Sequence, residues 1–325
     1  METQNILNIA VDCGKFNTKF AYRVAGELKA DVIRTSMRKG HDGYGKNEGV
    51  HQIEVAKEKY TIGDVSDSYS NDNTSLKKSI DLHRLVTLTA ICQALKDANI
   101  SGEATVNLSI NIPITQYNNK NEREAIENLY KGTHDVVFDG EVIKLNIATV
   151  LVQFETAGII TKYRKTFADQ NIIICDCGGL NVSRIVLRKG KIMPGSADLN
   201  ECGSNVLIKA IQKELSKNHG IKHTSEDIMD MVREVQAIQG EDAQIVREVI
   251  ANELDKITNE IVNDLKEDAN LGIYDVFLCG GSSSIYHKEI AKKVSCSVKI
   301  SEDSIFDNAK GVLILLEAYL KKQSA

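Results

Sequence analysis

The chain contains no tryptophan and only two prolines, Pro113 and Pro194, in 325 residues, so no proline-rich linker cuts it. No apolar run reaches the roughly eighteen residues that a membrane-spanning helix requires. Positive charge is not in excess. The formal net charge is −5, the opposite of the basic footprint of a nucleic-acid-binding protein. The opening METQNILNIAVDCG lacks a cationic segment leading into a signal-type apolar stretch. Seven cysteines, an odd number, fall in strand-like and helix-like segments, not in a short disulfide framework. Together these features lead us to expect a cytoplasmic protein in a reducing compartment, with no membrane partner. No C-x-x-C pair and no histidine cluster accompany Cys175 and Cys177. Strand alternation puts these two on one face, as small buried hydrophobes rather than metal ligands.

Hydrophobic residues make up 42% and charged residues 26% of the chain, which allows a sizeable core in two ordinary domains or in one large fold of two halves. Residues 5–12 read as a strand, and 18–24 with 27–37 as a hairpin and its continuation. Residues 38–76, glycine-rich and polar before an alternating stretch, read as a small insertion. Leu82, Leu85, Leu88, Ile91 and Leu95 then form a helical stripe. Strand, helix and strands follow up to about residue 152, and the second half repeats that order. Ile245, Val249, Ile257, Ile261 and Leu265 mark one side of a later helix. Strands alternating with helices predict an α/β fold with a largely mixed sheet. His83 and Arg84 on the first long helix, and the 40–75 segment, are the surfaces open to contacts. Gly40 to Asn47 nearly spells a P-loop, but Asn47 stands where the Mg²⁺-binding Ser or Thr belongs and a strand-like pattern follows.

One phrase is written twice. Asp12-Cys13-Gly14-Lys15-Phe16-Asn17 ends the first β-branched run, and Asp176-Cys177-Gly178-Gly179-Leu180-Asn181 ends another about half the chain later. A glycine turn between strands presents backbone N–H groups that form an anion-binding concavity. Two such turns could hold a polyphosphate, with Asp12 and Asp176 at the strand ends as oxygen ligands for Mg²⁺ and Lys19 as a point charge on phosphate. Each turn alone also fits an ordinary Asx turn. As a pair they favour a nucleotide site. A third strand end, FLCGGSSSIY, offers Gly280, Gly281 and Ser282 for close approach to a sugar, base or phosphate.

In this order the segments resemble the actin/Hsp70/hexokinase ATPase superfamily. The matching parts are a first phosphate loop at 12–19, a connecting segment near 148–158 and a second phosphate loop at 176–183, then an adenosine motif at 276–284 and a connecting helix at 308–320. Within it the chain is most similar to the ParM/StbA-type bacterial actins that segregate plasmids. DCGKFNTK resembles that family's D-x-G-x-x-N-x-K, INIPITQY its strand-end L-P-L-T-x-Y, and VQFETAG the segment carrying its catalytic carboxylate. The resemblance implies an actin-like fold of two duplicated RNase H-like α/β domains flanking a nucleotide cleft. Domain I would span 1–155 with the insertion at 38–76 and the returning helix 308–325. Domain II would span 156–307 with a helical insertion at 203–265.

Carried onto this sequence, the resemblance implies that Asp12 and Asp176 hold Mg²⁺ through its waters. Gly14, Lys15, Asn17, Lys19, Gly178, Gly179 and Asn181 line the phosphates. Glu155, helped by Gln153, would polarise the attacking water, and Gly280, Gly281 and Ser282 would lie against the nucleoside. Lys15 stands where many relatives have Ser or Thr, and Phe154 where a Pro is common. The implied function is a filament-forming ATPase, using ATP or GTP, that segregates plasmid DNA. It would polymerise with itself and bind a plasmid-bound adaptor of the ParR type rather than DNA directly. A sugar or acid kinase on the same scaffold is the alternative, against which stand the absent tryptophan and the lack of a sugar-binding insertion. An Hsp70-like or cell-shape actin is a third reading, although the chain has no peptide-binding domain.

Overall fold

Alternating β-branched and small residues make β1 (Ile6–Cys13) and β2 (Asn17–Val24) an antiparallel hairpin. It opens the computed structural model, which describes residues 5–41, 49–64, 69–70 and 80–324. β3 (Glu27–Arg34) folds back on β2, and β4 (Ser36–Lys39), β5 (Val50–Val55), β6 (Glu58–Gly63) and β7 (Tyr69–Ser70) follow. Helix α1 (Ile80–Asp97) leads to β8 (Glu103–Ile112), which runs parallel to β1. Two short helices, α2 (Ile114–Asn118) and α3 (Lys120–Tyr130), precede the hairpin of β9 (Gly132–Phe138) and β10 (Glu141–Phe154), and α4 (Ala157–Lys162) comes next.

After α5 (Arg164–Phe167) come β11 (Ile172–Cys177), β12 (Val182–Arg188), β13 (Lys191–Ile192) and β14 (Asp198–Asn200). Helices α6 (Ser204–Asn218), α7 (Ser225–Arg233) and α8 (Ala243–Asp268) lead to β15 (Asp275–Cys279). Then α9 (Ser283–Lys293), β16 (Val298–Ile300) and α10 (Asp307–Gln323) complete the chain. One unit comprises Met1–Lys162 with Phe306–Ala325, and the other Tyr163–Ile305.

The repeated phrase marks a repeated topology. The first unit's sheet contains the order β3-β2-β1-β8-β10, and the second unit's sheet runs β13-β12-β11-β15-β16. In each, the first strand is antiparallel to the second and parallel to the fourth, and the fourth and fifth are parallel. The parallel steps require crossovers, which the intervening helices supply. The described strands of the segment expected as an insertion extend the first sheet: β5 pairs with β9, and β6 with β5 and β4. Most of the P-loop-like stretch, residues 42–47, lies outside the described residues.

Alternation divides the residues of the first sheet between two cores. Leu7, Ile9 and Val11 pack with Val106, Leu108 and the α1 stripe Leu82, Leu85, Leu88, Ile91 and Leu95. On the opposite face Ala10 and Ala21 meet Ala309, Val312, Leu313 and Leu316 of α10. In the second unit Cys175 and Cys177 pack into the core built by α6, α8 and α9, and burial pushes the Cys177 thiol well up. His83, expected on an open surface, is instead only 5% exposed, because α1 is embedded and its His83 carbonyl approaches Cys13 Sγ at 3.8 Å.

Helix α10 also crosses α4 at a point where only glycines fit. A Cβ on Gly158 would lie 1.9 Å from the Asn308 carbonyl oxygen, and one on Gly311 would lie 1.9 Å from the Gly158 carbonyl oxygen. Asn308 Oδ1 accepts the Gly158 N–H at 3.1 Å, and Lys162 pairs with the buried Asp307. Among the described residues, no helix is long and apolar enough to cross a membrane.

Two aspartates tie the first unit together. Asp97, ending α1, accepts the Tyr22 hydroxyl at 2.6 Å and the Lys29 ammonium at 3.0 Å. Asp139, in the β9–β10 turn, accepts the Gln52 N–H at 2.9 Å and lies 3.2 Å from His51 Nδ1. The Tyr22 hydroxyl and Lys29 hold the Asp97 carboxyl below the usual value of 3.8. Burial opposes ionisation of Asp139, but His51 and the Gln52 amide outweigh it and hold this carboxyl low as well. Since both folded values lie below the unfolded one, their stabilisation is complete above the unfolded value and is lost as pH falls through the folded values. The urea midpoint should therefore drop on acidification below about pH 4. Asp139→Asn should flatten part of that slope, and an identical acid slope in the variant would refute the assignment.

Candidate functional site

The first turn joins β1 to β2 at the carboxyl end of a parallel strand, where open α/β sheets bind ligands. Register sets Asp12 opposite Lys19 and Cys13 opposite Thr18. The Gly14 N–H donates to the Asp12 carbonyl at 3.0 Å. Lys19 Nζ reaches over this turn, 3.3 Å from where a Cβ of residue 14 would stand. Thr35 holds the turn from below. Its hydroxyl donates to the Gly14 carbonyl at 2.8 Å, and its N–H to the Phe16 carbonyl at 2.8 Å. With that hydroxyl proton engaged, Thr18 is the donor in the 2.9 Å contact between the two buried threonines. Lys15 is half-buried, Asn17 is exposed, and Arg34 stacks over the Phe16 ring at 5.5 Å.

The second turn has the same register: Asp176 opposite Ser183 and Cys177 opposite Val182. Here the Gly178 N–H donates to the Asn181 carbonyl at 2.9 Å. The start of α6 sits against this turn, with Ser204 N–H on the Gly178 carbonyl and Asn205 N–H on the Gly179 carbonyl at 3.2 and 2.8 Å. The turn's carbonyls are thereby engaged by the helix. The third glycine element locks onto the same strand end. Gly280 has φ +86°, and a Cβ there would fall 2.2 Å from Asp176 Oδ1 and 2.7 Å from the Cys177 carbonyl oxygen. Only glycine combines this left-handed backbone with so close an approach to the carboxylate. Ser282 N–H donates to the Cys177 carbonyl at 3.0 Å, and its buried hydroxyl donates to Ser204 Oγ at 2.8 Å. Gly281 is exposed.

Gln153 and Glu155 lie at the end of β10, both half-buried, and the Glu155 N–H donates to the Ile112 carbonyl at 2.9 Å. The next residue, Thr156, has φ +75° and is 3% exposed. A buried β-branched residue in the left-handed region is strained, and such strain clusters at functional positions. It turns the chain sharply from β10 into α4, so Glu155 sits on a corner fixed on both sides. The sequence-derived residues thus gather into two groups, one per unit. Asp12, Gly14, Lys15, Asn17, Lys19, Gln153 and Glu155 lie in the first unit. Asp176, Gly178, Gly179, Asn181, Gly280, Gly281 and Ser282 lie in the second. Sequence reasoning missed Thr35, Thr156 and Asn111, the last a polar residue among β-branched neighbours in SINIPI.

Residues 10–158 match the N-terminal domain of actin-like proteins. This stretch, somewhat under half of the chain, carries the likeness to an actin-like N-terminal domain. No curated protein sequence matches the chain. Solved structures do. The apo psk41 ParM protein superposes with a TM-score of 0.75 at 14% identity, covering 99% of this chain and 100% of its own. The Alp12 filament structure gives 0.70 at 20% identity, covering 98% and 100%. Bacillus thuringiensis ParM with ATP gives 0.70 at 15% identity, covering 99% and 100%. These identities are low, and what those proteins share with this chain is the fold over almost its whole length.

Proposed function

We propose that this chain is an actin-like, filament-forming nucleoside triphosphatase of the cytoplasm that segregates plasmid DNA. It assembles with Mg-ATP or Mg-GTP and disassembles after hydrolysis. The observation that carries this reading is the doubled aspartate–glycine turn, identical in register at the carboxyl ends of topologically equivalent strands. The solved neighbours support it: one is a ParM with ATP and another is an Alp12 filament.

Asp12 and Asp176 would hold Mg²⁺ through its waters. The donors suit that hard cation, because the strand ends offer aspartate oxygens while the flanking Cys13 and Cys177 are buried in the cores. When bound, magnesium supplies charge neutralisation on the phosphate oxygens. Lys19 adds a positive charge beside Gly14, and the amides of 15–17 and 179–181 bind phosphate oxygens, those of Gly14 and Gly178 being engaged within the turns. Gly280 and Gly281 let the nucleoside approach the backbone, with Ser282 fixing the turn from beneath. Glu155 orients the water and takes its proton, with Gln153 beside it. Through self-association the chain forms filaments, and a plasmid-bound adaptor of the ParR type links them to DNA. The net charge of −5 argues against direct contact with DNA.

Pelleting and light scattering with Mg-ATP, Mg-GTP and no nucleotide test the proposal. Polymer is expected with a triphosphate and not without, followed by loss of scattering as phosphate is released. A protein that stays monomeric at tens of micromolar with either triphosphate, yet phosphorylates a sugar or a carboxylic acid, would be a kinase on this scaffold.

A further inference from the structure

Asn111 lies near the end of β8 and is 1% exposed. Among the described residues, neither its Nδ2 nor its Oδ1 meets a hydrogen-bonding partner. Leaving one buried polar group unsatisfied costs about 1–3 kcal/mol, so a residue carrying two such atoms needs a reason. The two polar residues nearest it on the same face of β8 are satisfied. Asn107 Nδ2 donates to Asn8 Oδ1 at 2.8 Å, and Ser109 Oγ donates to the Leu151 carbonyl at 2.8 Å.

Register supplies the reason. Asn111 is the direct neighbour of Gln153 on β10. The ladder that pairs Val11 with Ile110 puts Asp12 on its other side. Asp12 in turn faces Lys19. All four share the sheet face that carries Ala10, Ala21 and Leu151, so they form one polar row, Lys19–Asp12–Asn111–Gln153, across the carboxyl end of the first sheet. Neighbouring strands lie roughly 4.8 Å apart, which leaves the Asn111 amide within one water of both Asp12 and Gln153.

We propose that Asn111 is a positioning residue for the attacking water, an assignment that rests on the nucleotide-hydrolysing reading above. An amide suits this place because it offers both a donor and an acceptor and carries no charge to repel a phosphate. Oδ1 accepts one proton of the water, which turns a lone pair toward the terminal phosphorus. Nδ2 donates through a second water to the Asp12 carboxylate. In the step itself the water oxygen bonds to phosphorus as the bond from phosphorus to the bridging oxygen breaks. That electron pair stays with the departing diphosphate. The other water proton goes to Glu155. Asn111 gains and loses no proton.

The test is single-turnover hydrolysis by the full chain, measured with nucleotide affinity and thermal unfolding for Asn111→Leu and Asn111→Asp. Asn111→Leu removes both unsatisfied atoms while keeping the same side-chain branching. It should keep or raise its unfolding midpoint, bind Mg-ATP within about twofold of wild type, and release phosphate about 10–100-fold more slowly. Asn111→Asp should acquire an acid-favoured limb in its pH–rate profile, as protonation restores a donor and removes the charge. Wild-type rates in Asn111→Leu would overturn the inference, as would a wild-type pH profile in Asn111→Asp should the leucine variant fail to fold. If wild type itself releases no phosphate from ATP or GTP, the hydrolase reading falls and this inference with it. Wild-type turnover with unaffected variants would sink only the role of Asn111.

Discussion

Replacing Glu155 by Gln is expected to slow phosphate release by about 10²-fold or more while Mg-nucleotide-driven assembly persists. The substitution preserves size and hydrogen bonding but removes the carboxylate that the proposed mechanism makes the acceptor of the water's proton. It leaves the backbone corner intact, because the Glu155 N–H bond to Ile112 and the left-handed Thr156 do not depend on the carboxylate. Binding should be little changed, since on the proposed reading phosphate contact falls to Lys19 and the turn amides, and magnesium to the two aspartates. Filaments of the variant should therefore form at the wild-type nucleotide concentration and fail to turn over. The measurement is phosphate release alongside light scattering on the same sample. Turnover at the wild-type rate would move the catalytic role off Glu155, with Gln153 next in line as a residue that orients the water.

Gly158→Ala is expected to destabilise the first unit by about 3 kcal/mol, at the upper end of overpacking effects. The new Cβ would stand 1.9 Å from the Asn308 carbonyl oxygen, and the obstacle is helix backbone rather than a side chain that can rotate away. Relief requires α4 and α10 to separate, which opens the packing of Ala309, Val312 and Leu313 on Ala10 and Ala21. Gly311→Ala should act in the same way, because its Cβ would strike the Gly158 carbonyl oxygen at 1.9 Å. Once the helices have parted, the second methyl meets less resistance. The double variant should thus lose clearly less than the sum of the two single losses, which a urea-denaturation cycle would measure. Full additivity would mean that the two glycines do not share one crossing. Because α4 begins directly after Glu155 and Thr156, hydrolysis should fall with stability in these variants, unlike in Glu155→Gln.

Much of this protein is written locally. β-Branched alternation defines β1 and β11, the DCG phrase closes both, and the α1 stripe at every third or fourth position reaches the core as its periodicity requires. The pairing of Cys175 with Cys177 on a buried face follows from the two-residue period of a strand. Such features depend on dihedral preferences and on side-chain direction over a few neighbouring residues, so the sequence alone determines them.

Other features depend on partners distant in the chain. His83 sits on a helix position that sequence leaves open to solvent, and it is buried because α1 is embedded beside the first turn. Asn111 reads only as a polar interruption until parallel pairing brings it between Asp12 and Gln153. Gly158 and Gly311 look like ordinary helix glycines, and only the α4–α10 crossing makes them irreplaceable. Gly280 is legible as a turn residue, but not as the one position whose side chain would strike the Asp176 carboxylate. The sequence therefore determined the strands, the turns and the chemistry each turn offers. Tertiary structure decided which of those groups meet, because strand register and helix crossing exist only once segments far apart in the chain are packed together.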